Sequence, residues 1–99
     1  MVLKGGIKAG GVQPELILAL CIANYVYRRN NCTLTITSLL DGTHQANSLH
    51  YKGYAADLRI RDISAPLTDV IVRELREALG EEYDVVLEND HIHLEWDVK

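Results

Sequence analysis

Residues 83–96 read YDVVLENDHIHLEW, and this stretch decides the fold. Two short runs rich in apolar and β-branched side chains flank Asn89-Asp90, a two-residue turn of the hairpin type. The alternation of the second run sorts its side chains into a polar and an apolar face. The polar face holds His91, His93 and Glu95, and the apolar face holds Ile92, Leu94 and Trp96. We therefore expect an antiparallel hairpin with the core on one side and titratable groups on the other.

Two further strands are predicted earlier in the chain. Residues 32–37 (CTLTIT) alternate and are rich in β-branched residues, which places Leu34 and Ile36 on one face. Residues 54–60 (YAADLRI) alternate as well, with Asp57 on the polar side. If this strand joins the hairpin with its core face inward, Asp57 faces the same way as the two histidines of the last strand.

The two helical segments are marked by their ends. Pro14 fits the first turn of a helix that runs to about Arg28, and we expect this helix to be central and covered because it is apolar on nearly all sides. Ser64 can cap a second helix to about Leu79, which a glycine ends. This order of elements predicts one α+β domain over residues 1–99, a small antiparallel sheet with helices packed on one face.

Two segments lack periodicity. Residues 1–12 contain four glycines, so we expect a loose lead-in. Residues 38–52 contain Gly, Asn and Ser and are predicted to form a long loop. Loops of that length in a small domain are usually functional.

Composition and charge restrict the classes of partner. The apolar fraction of 47% and charged fraction of 24% are typical of a globular protein. A net charge of -4 with scattered Lys and Arg argues against a nucleic-acid partner. The longest apolar run, residues 16–23, is too short to span a bilayer, and the amino terminus lacks a signal-peptide h-region. We expect a monomer made in the cytoplasm, with Cys21 and Cys32 as buried free thiols.

The predicted polar face gathers candidate metal ligands. With Asn89-Asp90 as the turn, Glu88 lies across from His91, within reach of a shared metal or water. Asp57 joins them from the neighbouring strand, and His50 enters from the loop before it. Two imidazoles and one carboxylate can hold zinc with an open fourth position for water, which makes hydrolysis the leading hypothesis. A solvated polar face is the alternative.

Two motifs of the chain resemble those of a known family. Residues 48–57 (SLHYKGYAAD) fit the pattern SxHxxGxAxD, and HIH followed by an acidic and an aromatic residue fits the closing motif. Both resemble the D-alanyl-D-alanine carboxypeptidase and L-alanyl-D-glutamate endopeptidase family of zinc peptidases. The chain is also similar to the amino-terminal signalling domain of hedgehog proteins, which shares that fold. The likeness covers residues 33–97.

The resemblance implies a ligand set and roles for its neighbours. It makes His50, Asp57 and His93 the zinc ligands. It also places His91 beside the metal, where an imidazole donor can stabilise the oxyanion. Ser48 matches a position where a hydroxyl can orient a ligand.

The general base and the substrate anchor are left open by the motifs. Relatives commonly have a carboxylate three positions before the last ligand, which is Asp90 here, whereas strand geometry favours Glu88. Many relatives have a substrate-binding arginine in a Gly-Tyr-Arg-like segment after the first strand, and this chain lacks it. Arg59 or His44 could take its place, although a loop-surface role is the alternative for His44.

The resemblance implies a zinc-dependent metallopeptidase that hydrolyses peptidoglycan stem peptides at the L-Ala-D-Glu bond or at a D-Ala-containing bond. Zinc is the expected cofactor, and a peptidoglycan peptide is the expected partner. A phage endolysin or tail-associated enzyme, delivered to the cell wall by a holin or by injection, would suit the small size. Two other classes stay open: a zinc-stabilised binding module without activity, and a metal-free structural domain.

Overall fold

The computed structural model describes residues 1–7, 12–39 and 54–97 of the chain. Five strands and two helices lie within these ranges. In chain order they are β1 (Val2–Leu3), α1 (Pro14–Arg29), β2 (Thr35–Leu39), β3 (Ala55–Arg59), α2 (Ala65–Leu79), β4 (Tyr83–Leu87) and β5 (His91–Trp96). The strands form one sheet in the order β1-β2-β3-β5-β4, which confirms the predicted α+β class.

The sheet is mixed, which corrects the predicted antiparallel sheet. Strand β1 pairs in parallel with β2, while the other neighbouring strands are antiparallel. The backbone N–H of Val2 donates to the carbonyl of Leu34 at 2.8 Å, and that of Lys4 donates to Ile36 at 2.9 Å. The chain passes from β1 to β2 through α1, and such a helical crossover allows parallel pairing. Val2–Leu3 therefore belongs to the sheet rather than to a loose lead-in, and Lys4 is bonded to the neighbouring strand.

Helix α1 packs on the sheet with one side only. Its buried residues are Leu16, Ala19, Leu20, Ala23, Val26 and Tyr27. On the other side, Ile17, Leu18 and Tyr25 are 51%, 59% and 63% exposed. Cys21 is exposed and Cys32 is half-buried, so the predictions of a covered helix and of buried thiols are wrong. The reason is that one layer of two helices leaves the outer side of each helix facing solvent.

Helix α2 begins and ends where the sequence predicts. The Ser64 hydroxyl accepts a hydrogen bond from the backbone N–H of Leu67 at 3.3 Å. Gly80 follows the last turn with a φ of 81°, a conformation that glycine adopts at little cost. Ile71 and Leu75 of this helix are buried in the core. Neither helix, among the residues described, is long and apolar enough to cross a membrane.

The core lies between the helices and one face of the sheet. Its strand residues include Ile36, Leu58, Val85, Ile92 and Leu94, and its helix residues include Leu20, Tyr27, Ile71 and Leu75. Two tyrosine hydroxyls connect α1 to strands of the sheet. Tyr27 donates to the carbonyl of Arg59 at 3.1 Å, and Tyr83 donates to that of Glu15 at 2.8 Å. The opposite face of the sheet is therefore left for the polar residues of β3 and β5.

Strands β4 and β5 form the predicted hairpin. The register pairs Leu87 with Ile92. One step further, the backbone N–H of Glu88 donates to the carbonyl of His91 at 2.9 Å. Only two residues remain between them, so the predicted two-residue turn and the position of Glu88 across from His91 are confirmed.

Candidate metal centre

The strand register brings the polar residues of β3 and β5 side by side. Asp57 is the cross-strand partner of His93, and Arg59 is the partner of His91. Residues directly opposite on antiparallel strands have Cβ atoms about 5 Å apart, so their side chains can interact. Leu58, which lies between the two β3 residues, is fully buried, and its burial turns Asp57 to the outer face. The predicted orientation of this face is confirmed.

Asp57 lies at the centre of a cluster with His91 and His93. Its Oδ1 atom is 3.1 Å from Nδ1 of His93 and 3.4 Å from Nε2 of His91. The side chains of Asp57, His91 and His93 are 18%, 28% and 21% exposed. Partial burial of this kind strengthens charge interactions relative to water, while the cluster remains accessible to a small ligand.

His93 is held between two carboxylates. Its Nδ1 faces Asp57, and its Nε2 is 2.8 Å from Oε1 of Glu95. The hydrogen bond to Asp57 raises the pKa of His93 to about 9, burial opposes this shift, and the hydrogen bond to Glu95 adds to it. Without a metal, the ring is therefore an imidazolium at neutral pH and donates to both carboxylates. A metal ion needs the neutral ring, so metal binding would release this proton.

Glu95 contacts His93 directly, a role that the sequence does not assign to it although the predicted polar face does include this residue. Because Nδ1 of His93 faces Asp57, Nδ1 is the nitrogen that would face a metal. Glu95 would then accept a hydrogen bond from Nε2–H, which fixes the tautomer and the ring orientation. The signal was present in the sequence, because a spacing of two along a strand puts Glu95 and His93 on the same face.

The donor set of Asp57, His91 and His93 suits a zinc ion. Their potential ligand atoms all lie within 4.8 Å of one another. Tetrahedral ligands that are each about 2.1 Å from zinc lie about 3.4 Å from one another. The two distances from Asp57, 3.1 and 3.4 Å, are close to that separation. Imidazole nitrogen and carboxylate oxygen are also the donor types that zinc prefers at catalytic sites.

Three predicted site residues, His44, Ser48 and His50, lie outside the described residues. The ligand set of His50, Asp57 and His93 therefore stays a prediction, of which the structure brings the last two together. His91, expected beside the metal rather than on it, lies close enough to Asp57 to be an alternative third ligand.

Of the two candidate bases, Asp90 contacts the cluster. Its Oδ1 atom is 2.6 Å from Nδ1 of His91, and its side chain is 87% exposed. Glu88 is exposed, and within residues 1–7, 12–39 and 54–97 its carboxylate makes no hydrogen bond or ion pair. The turn directs Asp90 back towards His91, whereas the cross-strand position of Glu88 brings only its backbone to that residue.

A second acidic group adjoins the cluster. Carboxylate oxygens of Asp84, Glu95 and Asp97 lie within 4.8 Å of one another. Asp84 is the cross-strand partner of Glu95, so the hairpin register alone could have revealed this pair. Carboxylates are the donors that hard cations prefer, and Glu95 connects this group to His93.

An open pocket of about 430 Å³ borders the cluster. Its lining includes Lys4, Asp57, Arg59, Arg61, Asp90 and His91. Arg59, a candidate substitute for the missing substrate-binding arginine, lies in this lining. The pocket thus joins the candidate metal centre to a group of cations.

Comparison with known proteins assigns no family to the chain. No family model, no curated protein and no solved structure matches it. The fold and the cluster define an α+β domain with a candidate metal centre, and the likeness to zinc peptidases rests on the two sequence motifs.

Proposed function

We propose that this protein is a zinc-dependent peptidase that hydrolyses peptidoglycan stem peptides, at the L-Ala-D-Glu bond or at a D-Ala-containing bond. The observation that supports the proposal most is the contact of Asp57 with both His91 and His93 beside an open pocket. All three residues belong to the two motifs that resemble the zinc peptidases. A phage lysis enzyme is the biological context that we propose for this activity.

The residues that would hold zinc follow from the donor set. Asp57 and His93 are two of the ligands, and the third is His50, as the motif implies, or His91. Zinc, when bound, supplies a Lewis acid for the scissile carbonyl and lowers the pKa of its water. With zinc bound, Glu95 would accept the hydrogen bond from Nε2–H of His93 and so fix the tautomer that coordinates through Nδ1.

The remaining residues handle protons and charge. Asp90 lines the pocket and is the proposed general base, which takes a proton from the attacking water and delivers it to the leaving amine. If His50 is the third ligand, His91 is the donor that stabilises the oxyanion, and its Nδ1 atom lies 2.6 Å from Oδ1 of Asp90. Glu88 is the alternative base.

The proposal is tested by digesting purified peptidoglycan and its muropeptides with zinc-loaded and zinc-stripped protein. New amino termini, found by mass spectrometry only with zinc present, are the expected result, and their position identifies the bond. Asp90→Asn should keep its zinc and lower the turnover rate by at least about 100-fold. Glu88→Gln, from the same hairpin, tests the alternative base, and it should retain its turnover if Asp90 is the base.

Other outcomes would reassign the function. If zinc-loaded protein releases no new termini, the peptidase proposal is contradicted and the non-catalytic binding module is favoured. If less than about half a zinc ion per chain binds and zinc changes neither stability nor activity, the metal centre is wrong. A large loss in Glu88→Gln with normal turnover in Asp90→Asn would make Glu88 the base.

A further inference from the structure

The pocket beside the candidate metal centre contains a cationic wall, formed by Lys4, Arg59 and Arg61. The same pocket is lined by Asp57 and His91, so the wall lies next to the proposed reaction centre. The chain as a whole has a net charge of -4. The lining contains three cations against two carboxylates, those of Asp57 and Asp90, so its charge is positive where that of the chain is negative, and this favours an anionic group as occupant.

Two cations of the wall have no protein partner in the part of the chain that the structure describes. The side chains of Lys4 and Arg59 make no ion pair or hydrogen bond there. Arg61 approaches Asp62 at 4.0 Å, with both side chains largely exposed. By contrast, Arg76 donates to a backbone carbonyl of β4 at 2.8 Å. Among residues 1–7, 12–39 and 54–97, no group competes with a ligand for charge-assisted hydrogen bonds to Lys4 and Arg59.

The fold holds the main chain of both residues in place. Arg59 ends β3 directly across from His91, and its carbonyl accepts the hydrogen bond from Tyr27. Lys4 follows β1, and its backbone N–H is bonded to Ile36 of β2. Strand pairing thus fixes the backbone at both cations. Less conformational entropy is then lost when a ligand binds to them.

We infer that Arg59 and Lys4 bind a free α-carboxylate on the substrate residue that supplies the leaving amine, and so select for it. This inference rests on the proposed peptidase function for the identity of the peptide. In both candidate substrates that residue carries such a group, either as the terminal D-Ala or as a D-Glu that is linked onward through its side chain. This carboxylate belongs to the residue that follows the scissile carbonyl, so it lies close to the reacting bond. The cationic wall is likewise close to Asp57 and His91, because all of them line one pocket. The planar guanidinium of Arg59 suits bidentate binding of a carboxylate.

The inference predicts discrimination against amidated stem peptides. We would compare acetyl-Lys-D-Ala-D-Ala and L-Ala-γ-D-Glu-Lys, each with the α-carboxylate free or as an amide. Isothermal titration calorimetry on zinc-free protein avoids turnover of the peptides. In at least one pair the free acid should bind about 10- to 100-fold more tightly than the amide, as expected when charge-assisted hydrogen bonds are lost. The preferred pair identifies the source of the carboxylate.

Variants assign this preference to the wall. Arg59→Gln and Lys4→Gln should reduce the affinity for the acid by about tenfold or more and leave that for the amide unchanged. Arg59→Lys, which keeps the charge, should retain part of the preference. Arg73→Gln is the matched control, because Arg73 is an exposed residue of α2 whose ion pair, at 3.9 Å, is with Glu77. Thermal melts of each variant check the folding.

The other outcomes would contradict either the carboxylate site and its selectivity or the proposed peptidase reaction. Equal affinity for acid and amide in the unmodified protein, or no measurable binding of either, overturns the carboxylate site. Equal loss for both forms in a folded Arg59→Gln does the same. Selective binding without any hydrolysis by zinc-loaded protein keeps the carboxylate site and overturns only the proposed reaction. Hydrolysis of acid and amide with equal kcat/KM overturns only the selectivity.

Discussion

Asp57 and His93 are paired across two strands, and each has a further partner on the same face. Asp57 contacts His91 at 3.4 Å, and His93 contacts Glu95 at 2.8 Å. Asp57 and Glu95 are two carboxylates that face His93 from opposite sides. A positive charge between them, either a metal ion or the protonated ring of His93, stabilises both negative charges. At the scale of residues, the negative charges of the carboxylates and the positive charge of a ring or metal ion therefore stabilise one another. Substitution of single side chains can test each of these interactions.

Glu95→Gln is expected to weaken zinc binding about 10- to 100-fold, because an amide is a weaker acceptor for Nε2–H of His93 than a carboxylate. Competition with a fluorescent zinc chelator measures the affinity. Glu82→Gln, an exposed glutamate just before β4, removes the same charge and is the control. Equal affinities for Glu95→Gln and the unmodified protein would contradict the role of Glu95 in positioning the ring.

The raised pKa of His93 predicts how the stability of the zinc-free protein depends on pH. The pKa in the folded state is about 9, against 6.5 for an unperturbed ring, so the stabilisation is complete below pH 6.5 and is lost as the pH rises through about 9. The free energy of unfolding should fall by about 1–3 kcal/mol over this window, after solvent screening is considered. Urea denaturation with a chelator present measures this fall.

His93→Gln is the reference for that measurement, since it cannot gain or lose a proton in the window. We expect its pH dependence to be smaller than that of the unmodified protein. A parallel fall in both proteins would show that another group is responsible. In zinc-loaded protein the dependence should disappear, because a coordinated ring has already released its proton.

At the scale of elements, helix α1 shows where a pattern was misleading. Its sequence is apolar on nearly all sides, yet only one side packs against the sheet and α2. The same helix lies between two parallel strands along the chain, and this connection allows Val2–Leu3 to join the sheet. The helix therefore forms half of the helical layer and allows the parallel pairing that positions Lys4.

Two neighbouring leucines test the one-sided packing of α1. Leu16 is fully buried and Leu18 is 59% exposed. Leu16→Ala should lower the free energy of unfolding by about 2–5 kcal/mol, because it removes buried methyl groups and leaves a cavity. Leu18→Ala should change it by less than about 0.5 kcal/mol. Chemical denaturation compares the two, and similar costs would mean that the outer side of the helix is covered in solution.

At the scale of the whole molecule, the two faces of the sheet differ in what they contain. The radius of gyration of 12.5 Å is that of a compact chain of this length. The helices and the core occupy one face, and the titratable cluster with its pocket occupies the other. A variant on the outer side of a helix should therefore leave the cluster intact, which is why Arg73→Gln serves as a control.

Much of this organisation could be predicted from the sequence. The alternation in β5 predicted that Ile92 and Leu94 lie on one face of the strand and His91 and His93 on the other. The structure has this arrangement, because burial of the apolar face turns the other face outward. The sequence also predicted that α2 begins after Ser64 and ends before Gly80, because both helix ends depend on local backbone geometry. Local periodicity and local chemistry thus determined the elements and their faces.

Tertiary structure alone decided the relations between segments distant in the chain. The pairing of β1 with β2 and the exposure of one side of α1 depend on which surfaces meet, and composition does not report that. The strand register decided that Asp57 lies opposite His93. The conformation of the turn brought Asp90 rather than Glu88 to His91. Side-chain contacts such as these arise only after long-range packing has set the backbone, so no local pattern could have specified them.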